Sequence, residues 1–113
     1  SIVNTKCLWP KGVKRNKESV ENMLDAFANI EETTLARTVM YDTGVIVIRF
    51  QNIDSFYYPD NLGLLSHEIF HAAVGISRKK GFTLSDSSEE TFAYLIGYIT
   101  NLFFTAYQKA NQV

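Results

Sequence analysis

Two histidines one helical turn apart are the residues of this chain whose types and spacing can bind a metal ion. The chain has two histidines in all, His67 and His71, and Glu68 directly follows the first one. Residues four apart lie on the same face of a helix, so both imidazoles can bind one tetrahedral Zn²⁺. Glu68 points slightly to the side, where it can take a proton from a metal-bound water. The pattern His-Glu-x-x-His therefore predicts a zinc-dependent hydrolase.

Two imidazoles and a water leave a tetrahedral zinc ion one ligand short, and an acidic residue is the donor that the sequence offers. The single cysteine, Cys7, lies far upstream, and no further histidine is present. Glu90 lies 19 positions after His71, at the start of a predicted helix, and we expect it to be the third ligand. Glu89 is the alternative ligand. The spacing from Ser87 to Glu90, and nearly that from Asp86 to Glu89, is also typical of a capping box, so one glutamate could instead close the helix start.

These residues resemble the gluzincin group of zinc metallopeptidases, in which His-Glu-x-x-His on one helix is completed by a glutamate on a following helix. The matching residues are His67, Glu68, His71, Glu90 and Ala93. Tyr94 stands where the group usually has an aspartate that orients a histidine ligand, so Asp86, Asn101 or a backbone carbonyl has to serve instead. The resemblance implies a minimal, single-domain metallopeptidase-like protein that uses Zn²⁺.

The chemistry expected of such a site is peptide hydrolysis. Zinc lowers the pKa of a bound water toward about 7, and Glu68 takes its proton and delivers it to the leaving amine. Relatives often stabilise the oxyanion with a histidine or a tyrosine; the candidates here are Tyr94 and Tyr98, and beside them Tyr57, Tyr58 and Arg78. A peptide or protein substrate can add as a strand to an exposed sheet edge.

Two other hypotheses stay open. The chain is shorter than most gluzincin peptidases, which carry a further subdomain that walls the substrate cleft; this favours a non-catalytic, zinc-stabilised structural or interaction module of a larger assembly. An interaction domain without metal is the other hypothesis. It predicts that the purified protein carries no zinc and that added zinc does not raise its thermal stability.

Composition predicts one small globular domain that spans residues 1–113. The chain is 46% hydrophobic and 20% charged, and its formal net charge of −1 gives no reason to expect a nucleic-acid partner. The stretch from Phe92 to Tyr107 is too short and too polar to span a membrane, but its aromatic residues suggest a surface for a homo-oligomer or a protein partner. A lone cysteine and no visible secretory signal lead us to expect a cytoplasmic protein.

We expect the helices and strands that position the motif to form a small zincin-like fold of the α+β class. A helix is expected from about Lys17 to Glu31, capped by Asn16 or Ser19. Alternating residues from Leu35 to Tyr41, the turn Asp42-Thr43-Gly44 and the run Val45 to Phe50 predict a β-hairpin. Residues Ile2 to Trp9 are expected to add a third strand, giving a mixed or antiparallel sheet packed against the helices.

The motif helix is expected to begin near Asp60 or Asn61, either of which can cap its first turn, and to end at Gly75 or in the stretch Lys79-Lys80-Gly81. Apolar residues cover most of its sides, so we expect it to pack centrally against the sheet. Histidines inside such a helix would cost free energy unless they were paired or liganded. A long C-terminal helix that carries Glu90 is expected to begin between residues 86 and 88.

Overall fold

The computed structural model of the chain describes residues 16–28, 35–51 and 53–110. In this part of the chain a helix, a β-hairpin and two long helices follow one another. They are α1 (Lys17–Ala28), β1 (Ala36–Met40), β2 (Ile46–Phe50), α2 (Pro59–Lys80) and α3 (Glu89–Ala110). The predicted α+β class is confirmed. The described sheet has two antiparallel strands, and the predicted third strand at residues 2–9 lies outside the described residues.

The hairpin lies where the sequence pattern predicts it. Thr38 of β1 lies opposite Ile48 of β2. In the turn, the Tyr41 amide donates to the Val45 carbonyl at 3.0 Å and the Gly44 amide donates to the Tyr41 carbonyl at 2.9 Å. Gly44 has a φ of 91°, which favours glycine. A three-residue connection with a left-handed glycine at its end suits the right-handed twist of the two strands.

Helix α1 begins at a reciprocal cap between Asn16 and Ser19. The Ser19 amide donates to Asn16 Oδ1 at 2.9 Å, and the Asn16 amide donates to Ser19 Oγ at 3.0 Å, which satisfies two free amides of the helix start. The helix is joined to the hairpin by Tyr41, whose hydroxyl donates to Asp25 Oδ2 at 2.9 Å. Burial, together with this bond to a carboxylate, raises the pKa of Tyr41 to about 12.

The predicted cap of α2 at Asp60 or Asn61 is wrong. The helix begins at Pro59 after Tyr58, whose side chain makes no capping hydrogen bond. Proline suits the first helical position because its φ is already helical and it has no amide hydrogen to satisfy. Asn61 instead donates its side-chain amide to the Ser55 carbonyl at 2.7 Å, and so holds the preceding loop against the helix.

Of the two predicted ends of α2, the stretch Lys79-Lys80-Gly81 is confirmed, and Gly81 caps the helix. Its φ is 83°, and the Phe82 amide donates to the Ser77 carbonyl at 3.0 Å, as in a Schellman motif. Gly75 lies inside the helix, where the absence of a side chain leaves room for the Met40 side chain of β1. A Cβ at this position would overlap Met40 Sδ.

The core lies between the hairpin, α2 and α3, with Phe56 at its centre. The Phe56 ring centroid lies 4.7 Å from that of Phe50, 4.9 Å from that of Phe103 and 5.3 Å from that of Tyr107. Phe56 itself is 6% exposed. The same cluster includes Leu65, Ile69, Ile53, Ile99 and Phe104. Since α2 and α3 both supply members, the cluster fixes how these helices lie against each other.

Helix α3 divides its large residues between the core and solvent. Phe92 is buried, whereas Tyr94 and Tyr98 are 74% and 61% exposed. Within the described residues, neither this helix nor any other combines the length and apolar character that crossing a bilayer requires.

We expect Phe56→Ala to lower the free energy of unfolding by about 3–5 kcal/mol, because it leaves a cavity among the aromatic rings. Leu84→Ala is the control, since Leu84 is 55% exposed, and we expect it to cost less than about 0.5 kcal/mol. Urea denaturation followed by circular dichroism measures both. Equal losses in the two variants would contradict the assignment of the core to Phe56.

Candidate metal centre

The two histidines of the motif lie together on α2, as their spacing predicts. The Nε2 atoms of His67 and His71 are 3.1 Å apart, and the ring centroids are 4.7 Å apart. Both residues are exposed, and the His67 side chain is 65% exposed. The expectation that these imidazoles are buried and need a metal to offset that burial is therefore wrong. The reason is that the helix face that carries them is left open to solvent rather than covered by the sheet.

The separation of the two nitrogens fits a shared metal ion. At a Zn–N distance of about 2.05 Å, a tetrahedral ion holds two nitrogen ligands about 3.3 Å apart. The observed 3.1 Å is close to that value. The same distance also suits one N–H···N hydrogen bond between the rings, so the pair can exist with or without an ion.

Glu68 completes the group. Ligand atoms of His67, Glu68 and His71 all lie within 4.8 Å of one another, and these three residues could hold a metal ion. The Glu68 side chain is 5% exposed, and its Oε2 lies 3.8 Å from His67 Nε2. Two exposed imidazoles therefore lie beside one buried carboxylate.

Thr38 of β1 holds the Glu68 carboxylate in place. Its hydroxyl donates to Glu68 Oε1 at 2.8 Å and also lies 3.1 Å from the Glu68 backbone carbonyl. A buried carboxylate needs such a partner, because burial without a hydrogen bond is costly. No sequence motif marks Thr38 as a partner of Glu68. The alternation of side chains along β1 predicts on which face of the strand Thr38 lies, but no neighbouring residue predicts that this face packs against Glu68.

The group lies in a groove between β1 and α2. One part, of about 430 Å³, is lined by residues 36–38 and Met40 of β1 and, on α2, by residues of the face that runs from His67 to Arg78. Consecutive β1 residues take part, so the backbone edge of the strand borders the groove, since successive side chains point to opposite faces. An adjoining part, of about 550 Å³, is also lined by His67 and Glu68 and extends to Asp60.

The predicted third ligand is not a member of this group in the described structure. Glu90 and its alternative Glu89 are exposed in the first turn of α3. Helix α3 packs against the core through Ile99 and Phe103. Glu90 precedes Ile99 by nine residues, which is about 13 Å along a helix. Metal binding by Glu90 or by Glu89 stays a prediction.

The alternative role of Glu90, in a capping box with Ser87, is not seen, because no hydrogen bond joins these two residues in the described part of the chain. The Phe92 amide donates to the Ser88 carbonyl at 3.0 Å, the first bond of the helix, and Ser88 Oγ accepts from the Ser85 amide at 2.9 Å, before the helix begins. The proposed acceptors Asp86 and Asn101 are both exposed, and the carboxylate next to His67 is that of Glu68.

The candidate oxyanion stabilisers differ in whether they line the groove. Tyr94 and Tyr98 are exposed on α3 and do not line either part of the groove. Tyr57 packs its ring near those of Phe104 and Tyr107. Tyr58, at the start of α2, is also exposed. Of the candidates, Arg78 is the residue that lines the groove.

Comparisons of the chain with protein-family models, with curated proteins and with solved structures found no match. The interpretation of the site therefore depends on the residues and their geometry.

The bond from Thr38 to Glu68 is tested by a double-mutant cycle. Thr38→Val leaves the buried carboxylate without this donor, and we expect it to lower the free energy of unfolding by about 1–3 kcal/mol. In the Glu68→Gln background, Thr38→Val should lower the free energy of unfolding by less than it does in the wild type, and the difference gives a coupling energy of roughly 1 kcal/mol. Thr100→Val is the control, because Thr100 donates to a carbonyl of its own helix, at 2.7 Å. A coupling of zero would show that the two side chains do not interact.

Proposed function

We propose that the chain is a zinc-dependent hydrolase that cleaves peptide bonds. The observation that supports this most is the pair of imidazole nitrogens 3.1 Å apart on an open groove, with a buried carboxylate beside them. Imidazole and carboxylate donors suit Zn²⁺. An open groove gives a substrate access to the same atoms.

His67 and His71 would hold the metal through Nε2, and Glu90 is proposed as the third protein ligand. When bound, zinc would supply Lewis acidity that activates a water and polarises a carbonyl. A structural zinc site would need four protein ligands, whereas a catalytic site keeps one position open for water or substrate. The two histidines and Glu90 would be three protein ligands, which leaves the fourth position for water or substrate.

Glu68 is the general base of the proposed mechanism. Thr38 occupies Oε1, so Oε2, on the side of His67, is the oxygen that accepts the proton of the attacking water. The same oxygen then delivers the proton to the nitrogen of the leaving amine, as the C–N bond breaks. Because Thr38 restrains the side chain, little rotamer freedom is lost when the substrate binds.

The substrate is proposed to lie in the groove as an extended chain. The edge of β1 borders the groove next to the candidate metal centre. A peptide could therefore pair with that edge through main-chain hydrogen bonds while its scissile bond lies at His67 and His71.

A second candidate function is a zinc-stabilised interaction module without catalytic activity. The exposure of Tyr94, Ile96 and Tyr98 on α3 favours it. Large exposed aromatic side chains on one helix are more typical of a contact surface than of a free surface.

Metal content and hydrolysis together test the proposed function. We expect one zinc per chain by elemental analysis after purification without chelator, and cleavage of a denatured protein by the zinc-loaded chain. Glu68→Gln should keep the zinc and lower the hydrolysis rate by about 10²-fold or more, because the general base is lost. Glu21→Gln, an exposed glutamate of α1, is the control. Zinc without any hydrolysis would favour the interaction module, and full activity of Glu68→Gln would exclude the mechanism.

The third ligand is tested by a matched pair of variants. We expect Glu90→Gln to lower the zinc affinity at least about tenfold, since a neutral amide is a weaker ligand than a carboxylate. Glu89→Gln, one position away on the same helix turn, should leave it unchanged. Competition with a fluorescent zinc chelator measures both affinities. The opposite order would assign the ligand to Glu89, and equal affinities in all three proteins would exclude both glutamates.

A further inference from the structure

The groove beside the candidate metal centre differs in charge between its two ends. Arg78 of α2 lines one end and is exposed. Asp60 lines the other end. Among the described residues, no carboxylate lies within salt-bridge distance of Arg78, since the one contact of this kind joins His67 and Glu68.

The spacing along α2 gives the distance of Arg78 and of Asp60 from the imidazole pair, measured along a bound peptide. Arg78 follows His71 by seven residues, and Asp60 precedes His67 by seven. Seven residues of helix extend about 10 Å. An extended peptide covers about 3.3 Å per residue, so each charge lies about three peptide residues from the imidazole pair.

We infer that the groove selects an extended peptide with an acidic side chain about three residues from the scissile bond, on the side where Arg78 lies. A guanidinium binds a carboxylate through two parallel hydrogen bonds, which gives geometric specificity as well as charge attraction. Asp60 repels an acidic side chain at the opposite end, so the two charges together set one orientation of the peptide. The position of the scissile bond rests on the proposed function; the preference for an acidic peptide does not.

A purely structural role of Arg78 predicts different behaviour. Arg78, Lys79 and Lys80 all lie in the last turn of α2, where positive charge stabilises a helix end whatever is bound. Lys80 shares that location but does not line the groove. Lys80→Gln is therefore the matched control for Arg78→Gln.

Binding to the metal-free protein tests the preference apart from catalysis. The probes are two labelled peptides of eight residues, one with four glutamates followed by four glycines, the other with glutamines in place of the glutamates. By fluorescence anisotropy at low ionic strength, we expect the glutamate peptide to bind about three- to tenfold more tightly. Arg78→Gln should remove most of this difference and Lys80→Gln should keep it. Equal affinities for the two peptides, an absence of binding by both, or equal losses in the two variants would overturn the inference.

Cleavage by the zinc-loaded protein then separates this inference from the proposed function. The substrate is a library of peptides made by digesting a denatured protein with trypsin. When the sequences that the zinc-loaded chain cleaves are aligned on the bond it cuts, we expect Asp or Glu to be enriched at one position about three residues from that bond. Cleavage without this enrichment would overturn the inference and leave the hydrolase intact. Preference in binding without any cleavage would leave the inference intact and exclude the hydrolase.

Discussion

The buried carboxylate of Glu68 is the constraint on which the arrangement of the site depends. A carboxylate removed from water needs a hydrogen bond, and Thr38 supplies it at 2.8 Å. This bond joins the middle of β1 to the middle of α2, and the absence of a side chain at Gly75 lets Met40 approach two helical turns further on. With these two contacts, β1 lies along α2 and forms one wall of the groove.

Helix α2 has one face that packs into the core and another that is exposed to solvent. Leu65 and Ile69 pack into the aromatic cluster around Phe56, which fixes α3 against α2. His67 and His71 lie on the open side, where a metal ion could reach them without displacing any core residue. The helix is therefore held by one face while the other face stays available, as a binding or catalytic centre on a rigid element requires.

Most predictions that depend on neighbouring residues alone are confirmed. The hairpin, its glycine turn and the end of α2 at Gly81 are local features, and each is confirmed. The helix α2 starts within two residues of the predicted position, but the predicted Asp or Asn cap is wrong, because Pro59 takes the first helical position and Tyr58 precedes it. The expected burial of the histidines was wrong because an apolar composition on most sides of a helix does not tell which side the sheet will cover.

The sequence by itself determined that two imidazoles share one helix face with a glutamate beside them, because helical periodicity is a local property of the five consecutive residues 67–71. Only the tertiary structure decided which residues surround them. Thr38 lies thirty positions before Glu68, and the wall that faces Arg78 belongs to another element. Such long-range neighbours depend on how helices and strands pack, and packing depends on the shape of the whole core rather than on any single stretch of the chain.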